Sequence, residues 1–202
     1  MDKNTLLSLR LGFSGKQSQT IQKIGLNAFL EKSFMTKVDK SIPNFLDDSP
    51  KSLAELQSRR KEIKNNTSDQ TKELLKKEIQ VSNEMKDWWL EKMMNDDFPL
   101  REKMTCFWHN HFVSTYQKVK VNHWVFQHNQ LLREEAFGNF KTLTKKAIQT
   151  NAMVRYLDNV DNHRDKINEN LSRELLELFT LGIGNYTEDD IKNGAKGLAG
   201  LH

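Results

Sequence analysis

Residues 100–113 read LREKMTCFWHNHFV and hold several aromatics, two histidines and the single cysteine of the chain. At about 100° per residue, Met104, Phe107, Trp108, His111 and Phe112 fall on one face, the i, i+3, i+4, i+7, i+8 pattern of an amphipathic helix. His111 sits inside that apolar stripe, whereas His109 lies off it, nearer Thr105 and Val113. The stretch therefore predicts a central core helix. A second stretch, residues 168–182 (NENLSRELLELFTLG), is its natural packing partner, because Leu171, Leu175, Leu178 and Phe179 align on one side.

The helical pattern extends outward from both stretches. Upstream, Thr5–Leu11 is a short helix closed by Gly12. Thr20–Ile24 and Asn27–Met35 follow, broken at Gly25, with Asn27 as N-cap and Phe29, Leu30 and Phe34 as the buried edge. Residues 36–52, with Pro43 and Pro50, read as a loop. A helix then runs to about Lys64, Asn65-Asn66 interrupts it, and Thr67 with Gln70 offers a capping box. From there to Met94, Leu74, Leu75, Ile79, Met85, Trp88, Trp89 and Met93 recur at helical spacing. The two tryptophans must enter the core. Residues 51–94 are thus expected to form a projecting helical hairpin.

Asp96–Pro99 is a turn, with Pro99 opening the central helix. Downstream, Thr115–Val121 is short, and Asn122 is expected to cap a helix over residues 123–137. That helix should bury Trp124, Phe126 or Val125, Leu131 and Leu132. Asn139 caps residues 140–149, Ala152–Leu157 is another short helix, and residues 158–168 are a polar loop. Gly182 and Gly184 close the helix over residues 169–181. Thr187 with Asp190 forms a further capping box before Ile191, Ala195 and Leu198. Nothing reads as a sheet and no solenoid period is present. The predicted fold is all-α: a multi-helix bundle with a long hairpin arm and little or no sheet, residues 1–202 forming a single helical domain.

Composition narrows the function classes. With 31 basic and 27 acidic side chains, the net charge is only +4. Arg59-Arg60-Lys61, Lys76-Lys77 and Lys145-Lys146 are the densest basic spots, each in a helical pattern and the first two beside acidic residues. These are solvated faces, and no nucleic-acid partner is expected. One cysteine allows no intramolecular disulfide. No apolar run approaches the roughly 20 residues of a membrane span. The first fifteen residues lack an apolar export region, so as written the chain is expected in the cytoplasm.

The chemistry-bearing candidates are His109, His111, Glu169, Arg173, Glu174 and Glu177. His109, His111 and Glu174 are the expected catalytic groups, since histidines and carboxylates serve acid–base work near neutral pH. His109 and His111 are also the candidate ligands for a divalent metal such as zinc or iron. On a continuous helix, however, they point about 200° apart and cannot share one ion. Only extended backbone after Trp108 would bring them to one side. Glu169, Arg173 and Glu177 form a stripe at i, i+4, i+8 that suits an arginine bridging two carboxylates. Glu174 lies at the apolar margin beside Leu178 and Leu181 and needs a partner, either a histidine of the central helix or Arg133. Asp161-x-His163-x-Asp165 lacks the glycine and closing glutamate of a calcium loop. Gly182-Ile183-Gly184 follows a helix and lacks a third glycine, so it is no dinucleotide loop.

PLREKMTCFWHNHFVS, QLLREEAFGNFKTL, NAMVRYLDN, INENLSRELLELFTLGIGNYTEDDI and AKGLAGL, together with SLRLGFSG near the start, resemble the ordered landmarks of a bacterial family. It is the one named domain of unknown function 1800. The resemblance covers nearly the whole chain. Members are generally about twice as long, so it implies an N-terminal portion of the family domain, with the remaining half as an expected partner. Asn151 stands where the family tends to have proline, and Ala199 and Leu201 where it has threonine and tryptophan. The resemblance implies no reaction. Two functional readings follow from the residues. One is a hydrolase-like or metal-assisted site between the FWHNHF and NENLSRELLELF helices. The other is a non-catalytic interaction or scaffold domain with a buried His/Arg/Glu network that includes Arg133.

Overall fold

Helices start and stop here where capping side chains and glycines allow. The computed structural model describes the backbone of residues 1–64 and 68–201, and the side chains of residues 1–62 and 72–201. The helices are α1 (Lys3–Leu11), α2 (Ser18–Ile24), α3 (Leu26–Met35), α4 (Leu53–Lys64), α5 (Ser68–Asn95) and α6 (Leu100–His111). They continue with α7 (Tyr116–Val119), α8 (Asn122–Glu134), α9 (Phe140–Ile148), α10 (Asn151–Tyr156), α11 (Asn170–Glu174) and α12 (Glu188–Leu198). Among the described residues there is no strand, only an isolated bridge between His163 and Lys166. The protein is all-α.

Several caps match the sequence expectation. Asn139 accepts from the Thr142 N–H, and Thr187 with Asp190 forms a reciprocal capping box at the start of α12. Asp2 and Thr150 cap α1 and α10 in the same way. Each such cap stabilises its helix by about 1 kcal/mol. Two expected caps differ. Gly25, at φ 81°, turns the chain directly into α3, so Asn27 lies within the helix. Asn122 is already helical, and its side chain instead reaches α5, donating to both the carbonyl and the carboxylate of Glu78. The capping box at Thr67–Gln70 and the break at Asn65-Asn66 lie outside the described residues. α4 and α5 pack against each other.

The centre of the bundle is α8 rather than α6. α8 packs on α5, α6, α7, α9 and α10, and it supplies Leu132, Phe126 and Val125 to three separate hydrophobic clusters. The largest cluster joins Phe112, Leu132, Leu143, Met153, Leu171 and Phe179. Full burial of each such side chain contributes roughly 1.5–3 kcal/mol. α6 runs through to His111, but Phe107 on its stripe is 56% exposed. After α11 the helix widens to a π-helical segment, Leu175–Thr180. The wider turn shifts the register, so Phe179 is buried while Leu178, expected on the same face, is exposed.

Candidate functional site

α8 is amphipathic in an unusual way: its inward stripe carries polar residues among the apolar ones. Asn122, His123, His128, Asn129 and Arg133 are buried alongside Val125, Phe126 and Leu132. A buried polar group must find a partner or cost about 1–3 kcal/mol, so each of these side chains asks where its hydrogen bonds go.

Arg133 meets Glu102 of α6 through two contacts, Nε–Oε1 at 2.6 Å and Nη2–Oε2 at 3.0 Å, both side chains being almost fully buried. The Trp89 Nε1–H of α5 donates to the same carboxylate at 2.9 Å. The guanidinium also lies 5.2 Å from the Trp88 ring, a cation–π contact. This network is satisfied at every charged atom and locks both indoles from behind.

His128 is fully buried, with Nε2 at 2.7 Å from the Phe112 carbonyl and Nδ1 at 2.9 Å from the Thr150 hydroxyl. The carbonyl can only accept, so Nε2 carries the proton, and Nδ1 faces the Thr150 hydroxyl, which also lies 2.8 Å from the Ala147 carbonyl. Burial pushes its pKa down to about 4, against the opposing Phe112 carbonyl contact. It is therefore neutral at pH 7.

Asn129 is different. Neither its Oδ1 nor its Nδ2 has a hydrogen-bond partner in the protein, although the residue is only 4% exposed. Ser114, 3% exposed, leaves Oγ unpaired, and His109 leaves Nδ1 unpaired. All three residues line one cavity of about 210 Å³ between α5, α6, α7 and α8. Met85, Trp88, Trp89, Tyr116 and Val125 supply its apolar walls. The His109 ring sits 5.2 Å from Trp89 and 5.8 Å from His128. Burial lowers the His109 pKa, opposed by the Ser114 backbone and reinforced by the Arg133 charge. The cavity is thus lined by apolar walls together with three residues that bear a neutral imidazole, a hydroxyl and a carboxamide. An open groove of about 440 Å³ beside it is larger, and there Lys92 pairs with Asp39 and Arg133 with Glu102.

The residues singled out from sequence are distributed over several places. His109 belongs to this cavity. His111 and Glu174 line another, of about 370 Å³, together with Tyr156 and Phe179. There the His111 Nε2–H donates to the Phe179 carbonyl at 3.0 Å, near the end of the π segment where helical acceptors lack internal donors. Because α6 stays helical through His111, the two histidines face different cavities. Among the described residues no three histidine, cysteine or carboxylate side chains converge on a point where a metal ion could sit. Arg133 is the partner of Glu102, not of Glu174. Arg173 does bridge two carboxylates, Glu169 at 3.3 Å and Glu188 at 2.8 Å. Glu177 instead accepts from the Tyr186 hydroxyl at 2.7 Å. Sequence reasoning missed Ser114, Asn129, His128 and Glu102. The available signal was the spacing of Asn122, Asn129 and Arg133 on the apolar stripe of α8.

Fold and cavity together define an all-helical protein whose longest helix covers a small, polar-tipped pocket. The chain belongs to the family described as protein of unknown function (DUF1800), whose sequence profile matches residues 6–202. No curated protein and no solved structure matches it. Among the described residues no helix is long and apolar enough to cross a membrane.

Proposed function

We propose that the chain is a small-molecule-binding helical domain whose site is the cavity lined by His109, Ser114 and Asn129. One observation carries this reading: three residues that line one cavity hold four buried polar atoms without partners in the protein. A scaffold domain explains the Glu102–Arg133–Trp89 network, in which the groups satisfy one another. It does not explain polar groups kept buried with nothing in the protein to bond. A ligand, with solvent in its absence, supplies the missing partners. Location in the cytoplasm belongs to the same reading, since the fold depends on no disulfide.

The test needs no knowledge of the ligand. Asn129→Leu and Ser114→Ala are made and unfolded in urea without additives. A binding role predicts stability unchanged or raised, because no protein hydrogen bond is lost. A structural role predicts a loss of about 1–3 kcal/mol in each, and that loss would overturn the proposal.

A second reading, acid–base hydrolysis by His111 and Glu174, is favoured by their lining one cavity. It predicts turnover of p-nitrophenyl acetate that disappears in both His111→Gln and Glu174→Gln. Equal turnover in wild type and variants would end it.

A further inference from the structure

The proposal above leaves open what the cavity takes, and the arrangement of its groups narrows the class. We infer that the site selects an uncharged, planar ring carrying an amide-type edge, a lactam or carboxamide with an N–H beside a C=O. This inference rests on the cavity being a ligand site.

Three observations point the same way. The first is Asn129: both ends of its carboxamide are unpaired and buried. A carboxamide with both ends free is matched by a group offering an acceptor and a donor side by side, which is how asparagine reads a base edge. A hydroxyl or a hydrocarbon would leave one or both ends unmet.

The second is the wall. Trp88 and Trp89 line the cavity, and neither is free to swing. The Trp89 indole N–H is tied to Glu102, and the Trp88 ring is held against Arg133 and Phe126, the latter with centroids 5.5 Å apart. Flat aromatic surfaces fixed in advance favour a flat ligand, because little side-chain freedom is lost on binding. The volume sets the scale. A cavity of about 150 Å³ accepts benzene in another protein, so about 210 Å³ here suits one substituted ring.

The third is charge. Glu102 and Arg133 neutralise one another behind the wall. Burial disfavours a charged His109. Among the described lining residues Lys86 carries the full charge, and its ammonium is exposed and bonded to Asn83 at 3.0 Å. An ionised ligand would lose its hydration without a buried counter-charge.

Calorimetric titration of the full chain at pH 7.5 with three probes separates the outcomes: 2-pyridone (a neutral lactam), benzene (no polar edge) and benzoate (charged). The expected result is that 2-pyridone binds at least about tenfold more tightly than either of the others, and that Asn129→Leu removes this preference while benzene affinity is kept. A second, uncharged variant, Asn129→Ser, which removes the paired donor and acceptor of the carboxamide, should abolish the preference in the same way. Benzene or benzoate binding as well as 2-pyridone overturns the inference and leaves the cavity as a ligand site. Binding of none of the probes also overturns it. The cavity itself is refuted as a site only when Asn129→Leu additionally lowers the stability of the ligand-free protein.

Discussion

Arg133→Met offers the sharpest test of how this bundle is held together. Arg133 and Glu102 are 2% and 5% exposed and share a two-pronged ion pair. Removing the guanidinium leaves a buried carboxylate with the Trp89 indole as its remaining donor. Breaking one side of a buried pair costs about 3–5 kcal/mol, out of a total stability of about 5–15 kcal/mol. For a chain of this size, each kcal/mol moves the melting temperature by about 2–4 °C, so a fall of roughly 6–20 °C is expected. The double variant Arg133→Met/Glu102→Leu removes the orphaned charge; it leaves the Trp89 N–H without an acceptor, a cost of about 1–3 kcal/mol, and the half-buried Gln130 Oε1 without the Arg133 donor. It should therefore be more stable than Arg133→Met alone. Urea titrations, read as midpoints at constant slope, measure both. A single-variant loss below about 1 kcal/mol, or a double variant weaker than either single, would refute the reasoning. Both variants should weaken 2-pyridone binding, because Trp88 loses its contact with the guanidinium in each and Trp89 loses its acceptor in the double variant.

Other consequences follow from the same contacts. His128 is favoured neutral in the fold, its pKa lying at about 4 instead of the ordinary 6.5. Its contribution is intact above pH 6.5 and is lost as pH falls towards 4, by roughly 3 kcal/mol. His109 acts in the same direction. An NMR titration giving His128 a midpoint near 6.5 would contradict this. Within α12, a Cβ on Gly194 would stand 2.3 Å from the buried Ser172 Oγ, which donates to the Ile191 carbonyl, whereas a Cβ on Gly197 meets nothing within 4 Å. Gly194→Ala should therefore destabilise by about 1–3 kcal/mol, and Gly197→Ala should stabilise by roughly 0.5–1 kcal/mol. Thermal melts showing the two equal would count against the packing described for α11 and α12.

Element type was legible from the chain because helical period, caps and glycines act locally. The box at Thr187 and Asp190 and the cap at Asn139 are readable within four residues. What escaped depended on distance. Asn122 has the chemistry of a cap, yet its partner, Glu78, is 44 residues away. Arg133 was a candidate partner for Glu174, but it is satisfied by a glutamate 31 residues upstream. The cavity was illegible for a further reason: Ser114 and Asn129 are defined by what they do not bond, and no local pattern encodes an unmade contact. His109 and His111 were correctly separated by helical geometry. Which of them faced a cavity with unpaired groups was decided by α5 and α8 and not by their own helix.

The π segment after α11 also carries information about descent. A π turn holds one residue more than the α turn it replaces. Here the segment is held before its start by Ser172 against α12 and in its last turn by His111 on the Phe179 carbonyl. A helix gaining a residue between two fixed points must swell locally, because moving either end would break those contacts. Residues 175–180 therefore have the form of an accommodated insertion. Family members that keep an unbroken α-helix there should align with a one-residue gap, and should turn the counterpart of Leu178 back towards the core.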